Sequence, residues 1–372
     1  MVLRRVIAAL LLTTVGACGG DSESDPPEPA DPSDVWEAVE PAEADKYQAA
    51  LEAARVEQDL PGLAGAIAHR DSRQLWVGAT GLSNLTTPTA WLPTDESRIG
   101  SVTKTFTAAV IMQLSEEGLS LDDPIEAWVP GWYAGPTLRH LLSHTSGIVS
   151  YNGVGSFDKS RAWTPEELVQ WAYDNEPNLR FTPGTQYEYS NTNFVLLGMV
   201  IEKVTAQSYS DAVRTRLFEP LTLAMRVAAS GDDSPTMVRA YTCPTHTDAS
   251  FVEDPSSGWA AGAIACTPTD LSRWIVALYG GELLSDASLA AMKTPSGVTS
   301  PGNEPYGLGT IIESDGDLTL VGHSGGIGGY QTFAYYLEPH NTAVILMSNC
   351  VPTNLDSASA HLLAAVLGIP YP

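Results

Sequence analysis

Gly100-Ser101-Val102-Thr103-Lys104-Thr105-Phe106 sets a serine and a lysine three residues apart, directly ahead of the apolar run Ala108-Ala109-Val110-Ile111-Met112-Gln113-Leu114. That run is built of good helix formers, so Ser101 is expected at a helix N-terminus. Free N–H groups and the helix dipole there favour a developing negative charge. Positions i and i+3 share a helix face with Cβ atoms about 5–6 Å apart, which lets the Lys104 amine reach the Ser101 hydroxyl. A serine attacks carbonyls only when a neighbouring base takes its proton, and a lysine with a depressed pKa can be that base. An ordinary N-capping serine before a solvated lysine spells the same pattern, so the spacing alone does not decide.

Two later segments do. Gln186 to Phe194 contains Tyr189-Ser190-Asn191, and Val321 to Gly326 contains His323-Ser324-Gly325-Gly326. Ser-x-x-Lys, then Tyr-x-Asn, then a basic residue with Ser/Thr-Gly, in this order, resembles the penicillin-recognising serine hydrolases. The branch it is most similar to holds class C β-lactamases, D-alanyl-D-alanine carboxypeptidases and related esterases. Class A enzymes carry Ser-Asp-Asn and Lys-Thr-Gly instead. Leu141-Leu142-Ser143-His144-Thr145-Ser146-Gly147-Ile148, Phe181-Thr182-Pro183-Gly184 and Tyr306-Gly307-Leu308-Gly309 extend the resemblance from about Tyr47 to the C-terminus.

The resemblance implies an α/β (α+β) fold: an antiparallel sheet flanked by helices, an inserted all-helical lobe, and an active site between them. It also implies roles. Ser101 forms an acyl-enzyme, while Lys104 accepts its proton directly or through Tyr189, whose phenol then protonates the leaving group. Asn191 bonds Lys104 and the substrate amide. The N–H groups of Ser101 and Gly326 form an oxyanion hole, Gly325 lets the strand lie close to substrate, and Ser324 binds a substrate carboxylate. An unperturbed His323 changes charge near pH 6.5, unlike a lysine, so a bell-shaped pH profile is expected if the site needs a cation there. Trp259 either lines the pocket or sits in the core.

With 372 residues and 44% apolar content, the chain can build one large domain or two interleaved subdomains. A net charge of −25 argues against a nucleic-acid partner. Residues 1–17 read as a lipoprotein signal peptide: Arg4-Arg5, an apolar core from Val6 to Val15, then Val15-Gly16-Ala17-Cys18 resembling a lipobox with lipid on Cys18. Residues 18–45 are acidic and proline-rich and read as an extended tether. The hydrolase domain is then 46–372, its helical lobe about 122–225, and the expected location is the bacterial cell envelope, lipid-anchored outside the cytoplasm. A monomer is expected, with no cofactor.

Export permits disulfides, and with Cys18 lipidated an odd three cysteines remain. Cys350 ends the apolar run Val344 to Met347 and is assigned to a buried strand, leaving Cys243–Cys266 as the expected bridge. His140 and His144 lack the glutamate of His-Glu-x-x-His and read as structural, so no metal is expected. Helical spacing covers Lys46 to Leu60, Asn193 to Val204, Thr269 to Tyr279 and Ser357 to Leu367, and Thr164-Pro165-Glu166-Glu167 opens another helix with a capping box. Strands are expected at Leu63 to His69, Gln74 to Ala79, Tyr306 to Ile312, Leu318 to Gly322, Gln331 to Leu337 and Thr342 to Met347.

Two rival readings deserve weight. Gly322-His323-Ser324-Gly325-Gly326 also spells Gly-x-Ser-x-Gly, the nucleophile turn of α/β-hydrolases, with Asp356 and His361 as late partners. That motif needs a helix after it, and Ile327 to Tyr335 alternates like a strand. A non-catalytic envelope binding protein is the other, although such a protein has no use for Lys104 beside Ser101. The substrate reading is a D-alanyl-D-alanine carboxypeptidase acting on peptidoglycan stems, with an esterase or β-lactamase as alternatives. Thr310-Ile311-Ile312 offers no arginine for a peptide carboxylate, which weakens the first of these.

Overall fold

The structure, a computed structural model, describes residues 35–298 and 305–371. Cys18 and the proposed signal lie outside them. The main sheet contains β1 (Glu37–Ala38), β2 (Gly62–His69), β3 (Gln74–Asn84), β4 (Ile311–Asp315), β5 (Leu318–Ile327), β6 (Tyr330–Leu337) and β7 (Thr342–Ser348). Its order is β1-β3-β2-β7-β6-β5-β4, with Thr89–Ala90 added beside β3. Every pairing along that order is antiparallel except β1 with β3. The two ends of the chain thus build one sheet, with β2 paired to β7.

Alternation along each central strand separates two cores, because successive side chains point to opposite faces. Leu63 and Ile67 of β2, Phe333, Tyr335 and Leu337 of β6, and Val344 and Leu346 of β7 face helices α1 (Pro41–Glu57) and α6 (Leu355–Leu367). Ala64, Ala66, Ala68, Tyr336, Ile345 and Met347 face the other way, toward α2 (Thr103–Glu116), α5 (Pro268–Tyr279) and the helical region. That region includes α3 (Pro165–Asn175) and α4 (Asn191–Thr205). The Thr164 capping box forms as its sequence signals, with Pro165 in the first turn.

Helix α2 is buried nearly all round, from Thr103 through Met112, as an apolar helix between two lobes must be. Phe106 stacks on Trp274 at 3.9 Å, and the Trp274 indole donates to Thr105 Oγ1 at 3.0 Å. The approach to α2 is clamped by a short strand pair, Ser97–Arg98 against Ile264–Cys266.

Three expectations are corrected. The tether ends earlier than 45, since β1 pairs with β3 and α1 starts at Pro41, which suits the first helical turn. The strand expected from Tyr306 begins only at Ile311. Residues 306–310 instead form a turn in which Gly309 (φ +75°) lies so near α2 that a Cβ would sit 2.4 Å from the Ala108 Cβ.

The disulfide joins Cys243 to Cys350, not to Cys266. Cys350–Val351 runs parallel to Tyr241–Thr242, which brings the two sulfurs together, whereas Cys266 is a free thiol buried on the strand beside Ser97. Because the bridge closes a loop of 107 residues, Cys350→Ser should cost about 4–5 kcal/mol of stability. Denaturant titration checks this, and thiol labelling of the unreduced, unfolded domain (residues 35–371) should find Cys266 alone.

Candidate active site

Ser101 sits in a 3-10 turn, Gly100–Val102, that runs directly into α2. Gly100 has φ +52°, a backbone shape that favours glycine, and it turns the chain from the Ser97–Arg98 strand into the helix. Lys104 follows one turn later and is wholly buried. Its Nζ lies 2.9 Å from Ser101 Oγ, 2.7 Å from Asn191 Oδ1 and 2.8 Å from the Ala261 carbonyl oxygen.

Burial pushes the Lys104 pKa well below its ordinary 10.5. A neutral amine has two N–H donors and one lone pair. Asn191 Oδ1 and the Ala261 carbonyl can only accept, so they take both donors. The lone pair is left facing the Ser101 hydroxyl. The arrangement therefore makes Lys104 a proton acceptor for Ser101, as the Ser-x-x-Lys spacing suggests.

Asn191 begins α4, and its Nδ2 donates to Asn152 Oδ1 at 3.2 Å, which orients the amide oxygen toward Lys104. Tyr189 lies two residues earlier, with the Lys104 amine 4.9 Å from its ring centre. Enclosure of its hydroxyl raises the phenol pKa, and a hydrogen bond with Ser101 opposes this. The phenol thus keeps its proton near neutral pH while standing next to the reacting oxygen.

Strand β5 forms the opposite wall. A Cβ at Gly325 would lie 1.9 Å from the Ile99 carbonyl oxygen and 3.0 Å from the Ser101 nitrogen. The close approach that requires glycine is therefore to the backbone beside Ser101 rather than to substrate. A Cβ at Gly100 would likewise sit 2.6 Å from the Gly326 nitrogen, so the main chains of Ser101 and Gly326 meet at one point. Gly326 borders the cavity, where two backbone N–H groups on facing segments suit an oxyanion. Ser324 is half-buried and lies opposite Phe333 on β6, so its side chain takes the α1/α6 face of the sheet rather than the face toward α2 and Ser101, and the carboxylate-binding role expected of its hydroxyl is not supported.

His323 departs from expectation. It is buried on the strand face toward α2, the face shared by Gly325, but Tyr306 covers it, with Nε2 3.0 Å from the Tyr306 hydroxyl and Nδ1 against the Ser324 carbonyl. The carbonyl only accepts, so Nδ1 carries the proton and Nε2 accepts from Tyr306. Burial, with the nearby Lys104, pulls its pKa down to about 3. It is a neutral strut, not a cation for an anionic substrate.

The Gly-x-Ser-x-Gly alternative fails on geometry, since β5 continues to Ile327 and turns at Gly328-Gly329 into β6, with no helix after Ser324. His361 pairs with Glu57, far along the chain from Ser324. Trp259 packs against Tyr209 and Gly198 rather than lining the cavity. His140 completes a capping box with Thr137, and His144 packs among Tyr189, Tyr306 and Phe194.

Ser101, Asn191 and Gly326 border a narrow cavity of about 50 Å³, together with Tyr151, Asn152, Phe157, Glu253 and Ile327. A roomier cavity of about 370 Å³, bordered by Arg98, Arg239 and Tyr330, shares none of these residues, and the chemistry belongs to the smaller one. Sequence reading missed Ala261, Asn152, Tyr306 and Glu253. Ala261 acts through its carbonyl, which no motif records. The others carry ordinary polar side chains whose placement depends on distant segments.

The beta-lactamase family model matches residues 47–368. The chain belongs to that family. Among relatives of this beta-lactamase family member, penicillin-binding protein 4* of Bacillus subtilis (strain 168) is 29% identical over 73% of this chain and 65% of its own length. A D-aminopeptidase of Gluconobacter oxydans (strain 621H) is 24% identical over 88% of this chain. The chain spans 63% of that aminopeptidase, so both relatives are longer proteins. Among solved structures, a D-stereospecific amidohydrolase from Streptomyces sp. aligns with TM-score 0.75 and 34% identity, covering 88% of this chain and 99% of its own. A D-amino acid amidase from Ochrobactrum anthropi SV3 complexed with D-phenylalanine aligns at 0.78 with 25% identity over 88% of this chain and 99% of its own. This beta-lactamase family member is accordingly a serine hydrolase.

The titrations carry a consequence. The pKa values of His144 and His323 are both depressed in the folded state by burial. Their stabilising contribution is present above the unfolded value of 6.5 and is lost as pH falls below it, for His323 toward about 3. Denaturant midpoints should decline across that window. Acylation should rise once with pH, as Lys104 loses its proton, and should show no fall near pH 6.5 from His323. Stopped-flow acylation rates across pH check this single rise.

Proposed function

We propose that this serine hydrolase cleaves amides of D-amino acids that carry a free α-amino group, through an acyl-enzyme on Ser101. The observation that carries this reading is Glu253. Among the described side chains bordering the Ser101 cavity it is the one formal charge. Its Oε1 accepts from Ser257 Oγ at 3.2 Å and its Oε2 from the Gly328 N–H at 3.1 Å, which hold the carboxylate in place. Lys159, more than half exposed, stands 3.7 Å away at the rim. A charge pair at 4 Å with an effective dielectric near 20 interacts by about 4 kcal/mol. A fixed carboxylate therefore favours an ammonium group and disfavours a substrate carboxylate. The names of the Streptomyces amidohydrolase and the Ochrobactrum amidase support the D-amino-acid class.

The carboxypeptidase reading needs a cation for the terminal carboxylate. Thr310-Ile311-Ile312 supplies none, and His323 is neutral. In the proposed reaction, neutral Lys104 takes the Ser101 hydroxyl proton as Oγ bonds to the carbonyl carbon. The oxyanion is met by the N–H groups of Ser101 and Gly326. The proton passes through Tyr189 to the leaving nitrogen as the C–N bond breaks, and water then releases the D-amino acid. Asn191 keeps Lys104 aligned throughout.

The test compares D-alaninamide and D-phenylalaninamide with their N-acetyl forms and with an N-acyl D-Ala-D-Ala peptide. Free amines should be turned over at least about tenfold faster in kcat/KM, and Glu253→Gln should erase most of that preference, chiefly through KM. Ser101→Ala should abolish all turnover. Faster cleavage of the N-acyl peptide would reject this substrate class.

We also propose that the domain is held at the outer face of a bacterial membrane by lipid on Cys18. The motif Val15-Gly16-Ala17-Cys18 and the acidic segment after it support this. No helix among the described residues is long and apolar enough to cross a membrane. Cys18→Ser should move the protein from membrane to soluble fractions with catalysis unchanged, and unaltered fractionation would refute the anchor.

A further inference from the structure

His144 has no part in the mechanism above, yet it is wholly buried and surrounded by the groups that do. It adopts φ +57°, uncommon for a residue with a side chain. Its backbone carbonyl accepts the Glu188 N–H at 2.9 Å, and its Nδ1 accepts the Ser190 N–H at 3.2 Å. The residues it holds on either side are the immediate neighbours of Tyr189. Its ring covers that tyrosine as well, with centroids 4.2 Å apart.

The protonation state follows from these partners. A backbone N–H can only donate, and Asn193 Nδ2 lies 3.4 Å from the same ring nitrogen. Nδ1 therefore has its lone pair free, and the proton sits on Nε2. That nitrogen is buried without a hydrogen-bond partner among the described residues and is enclosed by a cluster that includes Tyr187, Tyr189 and Tyr306. Burial, with Lys104 and His323 nearby, keeps the ring neutral.

The clamp extends beyond one residue. Thr145 accepts from the Gly184 N–H, Gly147 from the Arg180 N–H, and Ser150 Oγ from the Asn191 N–H at 2.9 Å. Segment 144–150 is thus laced along segment 180–191, which carries both Tyr189 and Asn191. His144 is the point in that lacing where a side chain, not only backbone, fixes the tyrosine.

We propose that His144 is the positioning residue for Tyr189, holding the phenol where it can hand a proton to the leaving group. The proposal rests on the reading of Tyr189 as that proton donor. A positioning role has a signature that a merely structural one lacks, because only poor leaving groups need the proton. An amide releases an amine and depends on it, whereas a p-nitrophenyl ester releases a stable anion and does not.

The experiment measures acylation of a D-amino-acid amide and of the p-nitrophenyl ester of the same amino acid. It uses wild type, His144→Phe, His144→Asn, His144→Gly and Tyr189→Phe. His144→Phe keeps an aromatic ring but removes the acceptor for Ser190. It should lower kcat/KM for the amide by about 100-fold and for the ester by no more than about threefold. His144→Asn places Oδ1 near the position of Nδ1 and tolerates positive φ, so it should recover most of the amide rate. His144→Gly is also at home at this φ and should show the same selective loss if the phenylalanine variant does not fold.

Equal losses on amide and ester, or no loss on either, would overturn the proposal while leaving the site reading intact. If Tyr189→Phe itself showed no selectivity between leaving groups, the proton-donor reading would fall and the positioning role with it.

Discussion

Everything in the site is organised by the cost of putting a lysine amine where water cannot reach. A charged ammonium in that place would lose its hydration, so burial favours the neutral form. The same burial forbids leaving the amine's two N–H groups unpaired. Asn191 and the Ala261 carbonyl satisfy them, and the remaining lone pair has one direction left, toward Ser101. The basicity and the aim of the group have a single cause.

Satisfying that amine draws on three remote parts of the chain. Ser101 and Lys104 come from the junction between sheet and helical region, Asn191 from the start of α4, and Ala261 from the short helix Trp259–Gly262. The last is pinned along α2 by a second contact, Thr107 Oγ1 to the Ala260 carbonyl at 2.7 Å, one turn beyond Lys104. The strand pair of Ser97–Arg98 with Ile264–Cys266 fixes where α2 begins. The buried cores on both sides of the sheet therefore serve to hold three loops in register at the scale of a hydrogen bond.

Much of this was legible in the sequence, and the limits have physical reasons. Ser101, Lys104, Tyr189 and Asn191 could be named because helical spacing and short motifs are local facts. The order of strands and helices followed from period-two and helical alternation. The partner of Cys243 was not legible, because it depends on a parallel contact between segments 107 residues apart. The state of His323 was misjudged for a similar reason, since a motif gives residue type but not that Tyr306, from a distant turn, covers the ring. The start of the folded domain was masked by composition, as acidic and proline-rich residues at 37–45 read as extended chain although Pro41 opens a helix. Glu253 carries no motif at all and acquires meaning only from the cavity it borders.

The contact between Gly325 and the backbone at Ile99 leaves the oxyanion wall with no side chain to vary. A wall made of main chain is indifferent to the identity of whatever it serves, and any added atom at Gly325 would push the two segments apart. Diversification is therefore channelled away from it, toward the segment 253–257 and the helical region around Asn152 and Phe157. Substrate preference in this architecture can drift by replacement of a few loop residues while the apparatus that breaks the bond stays unaltered. Closely matching folds can thus differ widely in diet.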